Sequence, residues 1–591
     1  MIEPRIYRAA FVPALLAVVL VMFSLESRPR PLPQGLAADV LFEGDQAAAE
    51  GRRIAAEYPD RVAGTPGDRA VANEVGKAFS GSGFTVEHQR FTHGGDELVN
   101  VIGRRAGRSR KQVVVIAARD ATGVPDAAGS AADTAALIEI ARVFEGRPSR
   151  KSLVLASVDG SALGDVGTTE LLDEIDGPEL VDGVLVVSGL GADSGKPPSI
   201  VPWGNDTTLA GIGLQRTIAE SLRAEVEPPA EAASPAGQLA RLAFPLGIGG
   251  QGVLLPQGYD AVRISGDGEL SDTPPAAPID EERLGGLGRA VLRTVTALDR
   301  GPEPVHGPRT YVTIAGQVMP GWVLAVLAGT LILPALAAGI DAFARARRRR
   351  APVGPWLRWI ALGVVPLIAG YGVAKLLALF GATPDPPPAP VAPDLYPLDG
   401  PALLVLAVVA GVVVLSWAGL QRFAGPTARG LDEAAGSGAG VAVTLVLSGA
   451  ALALWLVDPF AALVAAPTVH FWMLATLIDP PPARRVRIGL LTAGLLLPLL
   501  LAVYQLFVLG VDPLGGAWYL LLLVLGGQVG FGMVVVAALF VAVFALVVTI
   551  VRRNGDAQRA APGVPLPPST RGPLSYAGPG SLGGTDSALR R

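Results

Sequence analysis

Four aspartates, Asp120, Asp133, Asp159 and Asp165, fall between residues 120 and 165, with Asp159 and Asp165 beside glycines in candidate loops. Oxygen ligands of that kind could gather around a Ca²⁺ or Mg²⁺ ion. The plainer reading is that Asp120 caps a strand-end turn and the others are loop or cap residues. Ser161 and Ser188 are candidate nucleophiles by residue type alone. Ser161 sits in D-G-S-A-L-G, not in the G-x-S-x-G turn that presents a nucleophilic serine, and no histidine stands near either in sequence. The chain has only four histidines, His88, His93, His306 and His470, and no cysteine. Thiol catalysis, disulfides and cysteine-bound metals are thereby excluded. Lys375 and His470 lie inside long apolar stretches, where an ionisable group is a candidate for proton- or substrate-linked work between helices. The alternatives are that Lys375 snorkels outward and that His470 stays neutral and hydrogen-bonded. The glycine-rich runs 211–213 and 247–252 fit neither a Walker nor a Rossmann spacing and read as loops.

Positioning these residues takes more than one domain, because 591 residues exceed a single compact core. Half of them are hydrophobic, concentrated in an N-terminal stretch and between Gly321 and Val551. The net charge of −4, without a long basic run outside loops that flank apolar stretches, excludes a nucleic-acid partner. The glycine count of 73 and proline count of 51, with arginine far above lysine, fit a GC-rich bacterial genome.

Residues 1–8 read as a cytoplasmic N-terminus and 9–25 as a transmembrane anchor or a signal peptide, preceded by Arg5 and Arg8. Residues 40–310 are soluble in character. Residues 319–551 form a multi-span transmembrane domain of about seven spans, at 319–342, 355–381, 400–420, 438–457, 459–478 and 488–510, with one more within Trp518–Val551. Each has the roughly 20 apolar residues that cross a bilayer. The last stretch is too long for one straight helix, so its first part, 518–530, re-enters or lies at the interface. Arginines cluster in alternate loops, at 345–350, at Arg422 and Arg429, at 484–487 and at Arg552 and Arg553. By the positive-inside rule the chain is N-in and C-in, with 40–310 outside the cytoplasm of a multi-pass cell-membrane protein. The tail 554–591, rich in Pro, Gly and Ser, reads as a disordered cytoplasmic segment.

Within 40–310, short continuous apolar runs alternate with helical patterns. Val113–Ala118, Leu153–Val158 and Val184–Ser188 have the composition of strands buried on both faces. The fold class expected is therefore α/β, a largely parallel mixed sheet flanked by helices, joined to an all-α polytopic transmembrane domain.

Several segments, in order, resemble the M28 family of zinc aminopeptidases. Tyr58–Asp68 (YPDRVAGTPGD) is similar to the family's opening R-x-x-G-S/T-P-G, and Val113–Asp120 (VVVIAARD) to the strand that ends in A-H-x-D. Ala135–Arg142 resembles the helix after the bridging aspartate, Leu153–Thr168 the strand and turn that carry G-E-E-x-G-L-x-G-S, and Ser271–Leu298 the closing turn and helix. About 250 residues are covered. The resemblance implies two zinc ions held by two histidines and three carboxylates, with a glutamate as general base. Matched position by position, the first histidine falls on Ala118, the bridging aspartate on Gly129 (or Ser130), the two glutamates on Ser161 and Ala162, and the later aspartate near Ser188. The terminal histidine is missing from 266–273, and Asp120, the partner that orients the first histidine, has nothing to orient. No catalytic residue, metal ligand or cofactor is expected: zinc belongs to the family, but its ligands are absent. Ala118, Asp120, Gly129, Ser161, Ala162 and Ser188 remain as candidates for a binding cleft.

The expectation is a binding or scaffolding subunit of a cell-envelope complex, with the lipid bilayer and a membrane or envelope protein as partners. Its layout resembles the peptidase-like subunit of the GPI transamidase, as an analogy of architecture. The alternatives are a membrane-bound zinc aminopeptidase with divergent ligands, and a transporter or lipid-processing protein with an accessory ectodomain.

Overall fold

The structure is a computed structural model that describes residues 3–34, 41–121, 123–304, 306–424, 438–479 and 481–560. Arg429 and residues 561–591 of the tail lie outside the described residues. Two helices open the chain, the short α1 (Pro4–Ala9), which carries Arg5 and Arg8, and the apolar α2 (Val12–Phe23), followed by a two-residue strand β1 (Glu26–Ser27).

The α/β domain then runs α3 (Gly44–Glu57), α4 (Pro66–Gly81), β2 (Thr85–His93), β3 (Asp96–Arg105), β4 (Gln112–Ala118), α5 (Ala132–Val143), β5 (Ser152–Val158), α6 (Val166–Leu171), β6 (Val181–Ser188) and β7 (Ser199–Val201). It continues with α7 (Ile212–Glu225), α8 (Pro235–Ala243), α9 (Gly250–Leu254), β8 (Ala261–Ser265) and α10 (Glu281–Arg300). Seven strands form one sheet in the order β2-β3-β5-β4-β6-β8-β7. The central four, β5, β4, β6 and β8, are parallel, and the outer pairings are antiparallel. This is the expected mixed sheet with flanking helices.

Local chemistry explains the elements. Val113, Val114, Val115 and Ile116 of β4 are all buried, as a strand covered on both faces requires. Helix α4 starts where Thr65 Oγ1 accepts from the Asp68 amide, with Pro66 at the first helical position. Asp280 caps α10 in the same manner, accepting from the Arg283 amide. After β4 the chain moves to β5 on one side, then returns to β6 on the other. The parallel strands therefore end at a topological switch point, the place where open α/β sheets present a crevice.

A short hairpin, β9 (Tyr311–Ile314) and β10 (Gln317–Pro320), pairs with β1 and leads directly into the helical domain. That domain comprises α11 (Gly321–Arg348), α12 (Gly354–Leu379), α13 (Gly400–Ala424), α14 (Gly438–Val457), α15 (Pro459–Leu477), α16 (Arg484–Leu509), α17 (Pro513–Gly526) and α18 (Phe531–Ala560). Among the described residues eight helical stretches are long and apolar enough to cross a membrane, Pro4–Phe23 included. The chain has the character of a membrane protein. Small residues let the helices approach: a Cβ on Gly363 would stand 2.9 Å from Ala542 Cβ, and one on Gly494 only 2.3 Å from Trp472 Nε1.

Two sequence expectations are adjusted. The overlong stretch breaks at Gly527 (φ 88°), and its first part is the 14-residue helix α17, which starts at Pro513, ahead of Trp518. At about 21 Å it is too short to cross the hydrocarbon core. It packs instead between the spans and the α/β domain, with Trp518 and Leu522 beside Ala402 and Val405, and Tyr519 and Leu523 beside Phe244, Leu246 and Ile248. The tail is helical as far as Ala560, so residues 554–560 extend α18.

The two domains meet through α8. Leu239 and Leu242 pack with Phe460 and Leu501 of α15 and α16, and Gln505 Nε2 donates to the carbonyls of Ala240 and Phe244 at 3.3 and 3.2 Å.

Candidate functional site

The ends of β4, β5 and β6 and the loops beyond them enclose a cavity of about 200 Å³. Ala118, Asp120, Gly129, Ser161, Ala162 and Ser188 all line it, so residues spread over seventy positions of sequence share one wall. Asp126, Ser130, Asp133, Asp165, Arg263 and Asp267 line it too.

The carboxylates are already engaged. Asp120 accepts from the Ser161 amide at 3.1 Å, from Ser161 Oγ at 2.9 Å and from the Ala162 amide at 3.3 Å. It therefore caps the turn that follows β5, the strand next to its own. Burial nonetheless pushes it up to about 6. Asp133, at the start of α5, accepts from the amides of Gly189 and Leu190 at 2.8 and 2.9 Å, fixing the turn after β6. Burial raises it to about 8 against the pull of those two amides. Asp126 accepts from the Ser130 amide at 2.9 Å, and Asp267 from Ser265 Oγ at 2.9 Å. Asp159 does not reach the cavity; it accepts from the Val99 amide at 3.2 Å, behind the turn.

Asp165 differs from the others. Its side chain accepts no hydrogen bond among the described residues, it is only 7% exposed, and it has a left-handed backbone at φ 54°. Burial is the main cause that pushes it up to about 7; the Asp120 charge adds to this and Arg263 opposes it. Arg263 enters from β8, donating to Ser188 Oγ at 3.3 Å and to the Glu269 carbonyl, with its own charge disfavoured by burial.

The residues do not fit the pair of zinc ions that the family resemblance implies. Ala118, Gly129, Ala162 and the hydroxyls of Ser161 and Ser188 offer no carboxylate or imidazole where ligands would be needed. The bridging position cannot be refilled without rearrangement, because a Cβ on Gly129 would lie 2.2 Å from Asp126 Oδ1. Among the described residues no three His, Asp or Glu side chains converge as a metal site, and the four aspartates named from sequence do not gather into an oxygen cage.

The cavity is roofed from the other domain. The connection between α12 and α13 lays Val391, Ala392 and Leu395 along it, and a Cβ on Gly164 (φ 88°) would touch Pro388 Cδ at 2.7 Å. The connection is tied down by Tyr519 Oη donating to the Val391 carbonyl at 2.7 Å, Gln528 Nε2 to that of Pro387 at 3.0 Å and Trp518 Nε1 to that of Tyr396 at 3.2 Å.

Lys375 and His470 stand apart from the cavity. Lys375 Nζ donates to the Leu525 carbonyl at 2.8 Å, so it serves the C-terminal end of α17, where a cation complements the free carbonyls, and does not snorkel outward. His470 Nε2 meets the Leu331 carbonyl at 2.8 Å, which makes it the donor, and Nδ1 accepts from Tyr7 Oη at 2.9 Å. His470 thus joins α1, α11 and α15 through hydrogen bonds at both ring nitrogens.

Sequence reasoning passed over Arg263, Asp267 and Arg119. Arg119 follows Ala118 and is completely buried, with a bidentate pair to Asp68 at 2.9 and 2.7 Å. The signal was present: a guanidinium directly after a wholly apolar strand has to find a carboxylate inside.

No family model matches the chain. A short stretch of 81 residues is 44% identical to transferrin receptor protein 2 of Homo sapiens, covering 12% of this chain and 10% of that protein. The chain thus spans about a tenth of the length of the curated relative it matches. Similar solved structures are zinc aminopeptidases and glutaminyl cyclases. They include the LapA aminopeptidase of Legionella pneumophila (14% identity, 45% of this chain and 74% of that one, TM-score 0.37). A leucine aminopeptidase precursor of Bacteroides thetaiotaomicron (14%, 45% and 99%, TM-score 0.35) and a glutaminyl cyclase of Fimbriiglobus ruber (17%, 46% and 99%, TM-score 0.33) are others. At these identities the likeness concerns fold alone, and no chemistry is taken from it.

Proposed function

We propose that this is a polytopic membrane protein whose α/β domain binds a ligand or partner and does not hydrolyse peptides. The observation that supports this most is the state of the cleft. Its ligand positions are filled by Ala118, Gly129, Ser161, Ala162 and Ser188, and Asp120 and Asp133 spend their lone pairs on backbone amides. A metal-activated water has no holder there, and no histidine lines the cavity to activate a serine. What remains is a small cleft of mixed polar and apolar lining, with the connection between α12 and α13 forming part of its wall.

In this reading the α/β domain lies outside the cytoplasm, both chain ends lie inside, and the protein serves as a subunit of a cell-envelope complex. The arginines of alternate loops favour that topology. The arrangement parallels the peptidase-like subunit of the GPI transamidase in layout only.

The test uses the full-length chain purified in mild detergent. Elemental analysis is expected to find no stoichiometric zinc, aminopeptidase substrates are expected to stay intact with or without chelator, and a partner is expected to co-purify. One or two zinc ions per chain together with chelator-sensitive cleavage would overturn the reading and restore a hydrolase with unusual ligands.

A further inference from the structure

A second and larger cavity, of about 580 Å³, lies where β7, α7 and α8 meet the β9–β10 hairpin. Its volume falls in the range of small-ligand sites. One wall is apolar, formed by Ile200, Trp203, Leu209 and Ile212. The rest carries an excess of guanidinium groups. Arg241 is stacked 4.9 Å over the Trp203 ring and closed by a bidentate pair with Glu269, so these two neutralise each other. Arg223 is met by Glu220 at 3.0 Å on the outside of α7. Arg28 has no hydrogen bond or ion pair for its side chain among the described residues. Arg216 uses only Nη1, on the carbonyls of Arg28 and Pro29, leaving Nε and Nη2 without an acceptor. Glu231 is the one further acid on the lining.

This cavity lies beside the ends of several apolar helices, a position that falls near the bilayer surface if those helices span it. Arg28 comes shortly after Phe23, the end of the first apolar helix, within about 17 Å of extended chain. Arg241 lies on α8, whose Leu239 and Leu242 pack among Phe460 and Leu501 of two spans. Tyr311, a buried residue of the lining, belongs to the hairpin that continues into α11. An apolar wall, two unengaged guanidinium groups and a floor beside those helix ends together suit an amphiphile with a phosphate head.

We infer that this cavity binds the headgroup of an anionic glycerophospholipid, with Arg28 and Arg216 on the phosphate and the Ile200–Trp203 wall against the glycerol and upper acyl chain. Guanidinium forks match phosphate oxygens, and anionic lipid surfaces draw such side chains. The same phosphate chemistry could come from a soluble glycerol phosphate, so the test has to separate the two sources.

Native mass spectrometry of the full-length protein, titrated with phosphatidylglycerol or phosphatidylcholine, reads this directly. One phosphatidylglycerol is expected to remain bound under conditions that strip phosphatidylcholine. Its affinity should fall at least fivefold in Arg28→Gln and in Arg216→Gln, and fall with added salt. The arginines at 345–350 also attract anionic lipid, so Arg347→Gln is the control and should leave the loss caused by Arg28→Gln unchanged. Arg28 is exposed and its side chain has no partner among the described residues, so its replacement leaves the fold intact, which an unchanged unfolding temperature verifies. Equal phosphatidylglycerol affinity in wild type and Arg28→Gln overturns the site. Displacement of the lipid by equimolar glycerol 1-phosphate overturns the lipid assignment and makes the ligand soluble.

Discussion

Ser161 and Asp120 are locked together: Ser161 Oγ donates to Asp120 Oδ2 at 2.9 Å while its amide donates to Oδ1 at 3.1 Å. Two positions that belong to a metal centre in the resembled family are here one hydrogen-bonded cap joining the ends of β4 and β5. Removing the hydroxyl takes one charge-assisted bond and leaves the two amides in place. Ser161→Ala is therefore expected to lower stability by about 1 kcal/mol, within the usual range for such a bond. Thermal unfolding of the full-length protein in detergent reads it, and a loss well beyond that would mean that the whole turn depends on the hydroxyl.

Asp165 gives the cleft a pH signature. Burial raises its folded pKa to about 7, far above the unfolded value of about 3.9. Between those values the folded chain holds a proton that the unfolded chain has released. The contribution of this group to stability is thus fully present below about pH 4 and lost as pH rises through about 7. Asp165→Asn should flatten that decline, making the variant's stability advantage larger at pH 8 than at pH 5. Asparagine tolerates the left-handed backbone at this position. Unfolding temperatures measured across that range decide it; parallel curves would place the titration elsewhere.

The Arg119–Asp68 pair is expected to be structural. Arg119→Met would leave Asp68 buried without its cation, with Asp159 only 3.5 Å from where the guanidinium stood. Breaking such a pair from one side costs about 3–5 kcal/mol. Low folded yield or a sharply lowered unfolding midpoint is the expected result, and Asp68→Asn with Arg119→Met should recover part of it. A fully stable single variant would show that the pair contributes little.

The connection over the cleft can be followed by labelling, because the chain has no cysteine of its own. Ala162→Cys should react slowly with a maleimide. Adding Tyr519→Phe, which removes the hydrogen bond to the Val391 carbonyl, should speed the reaction several-fold. Equal rates would mean that the connection does not control access.

Much of the α/β domain is legible in the sequence, for a physical reason. Val113–Ala118, Leu153–Val158 and Val184–Ser188 are strands buried on both faces, so their apolar runs carry an unambiguous signal, and all three lie in the sheet. The spacing that places Ala118, Gly129, Ser161 and Ser188 follows from those strands, which is why all share the cavity. Residues 199–265 are much less readable. Strand β7 has three residues, α8 has nine, and α8 buries its apolar face against another domain, a contact that no local pattern encodes. The roof is illegible for the same reason. Prolines and a few small apolar residues between α12 and α13 look like an ordinary loop, and only the tertiary contacts with Tyr519 and Gln528 give that loop a position.

That roof hangs between two membrane helices, and its anchor points lie on a third helix and the turn beyond it. A thinner or thicker bilayer alters the tilt of such helices. Any tilt that moves the α12–α13 connection also moves Val391 and Leu395 along the cleft wall. On the proposed ligand-binding reading, bilayer thickness thereby becomes a variable in the affinity of the cleft. The relation runs both ways: a ligand that holds the wall in one position biases the tilt of the pair by the same free energy.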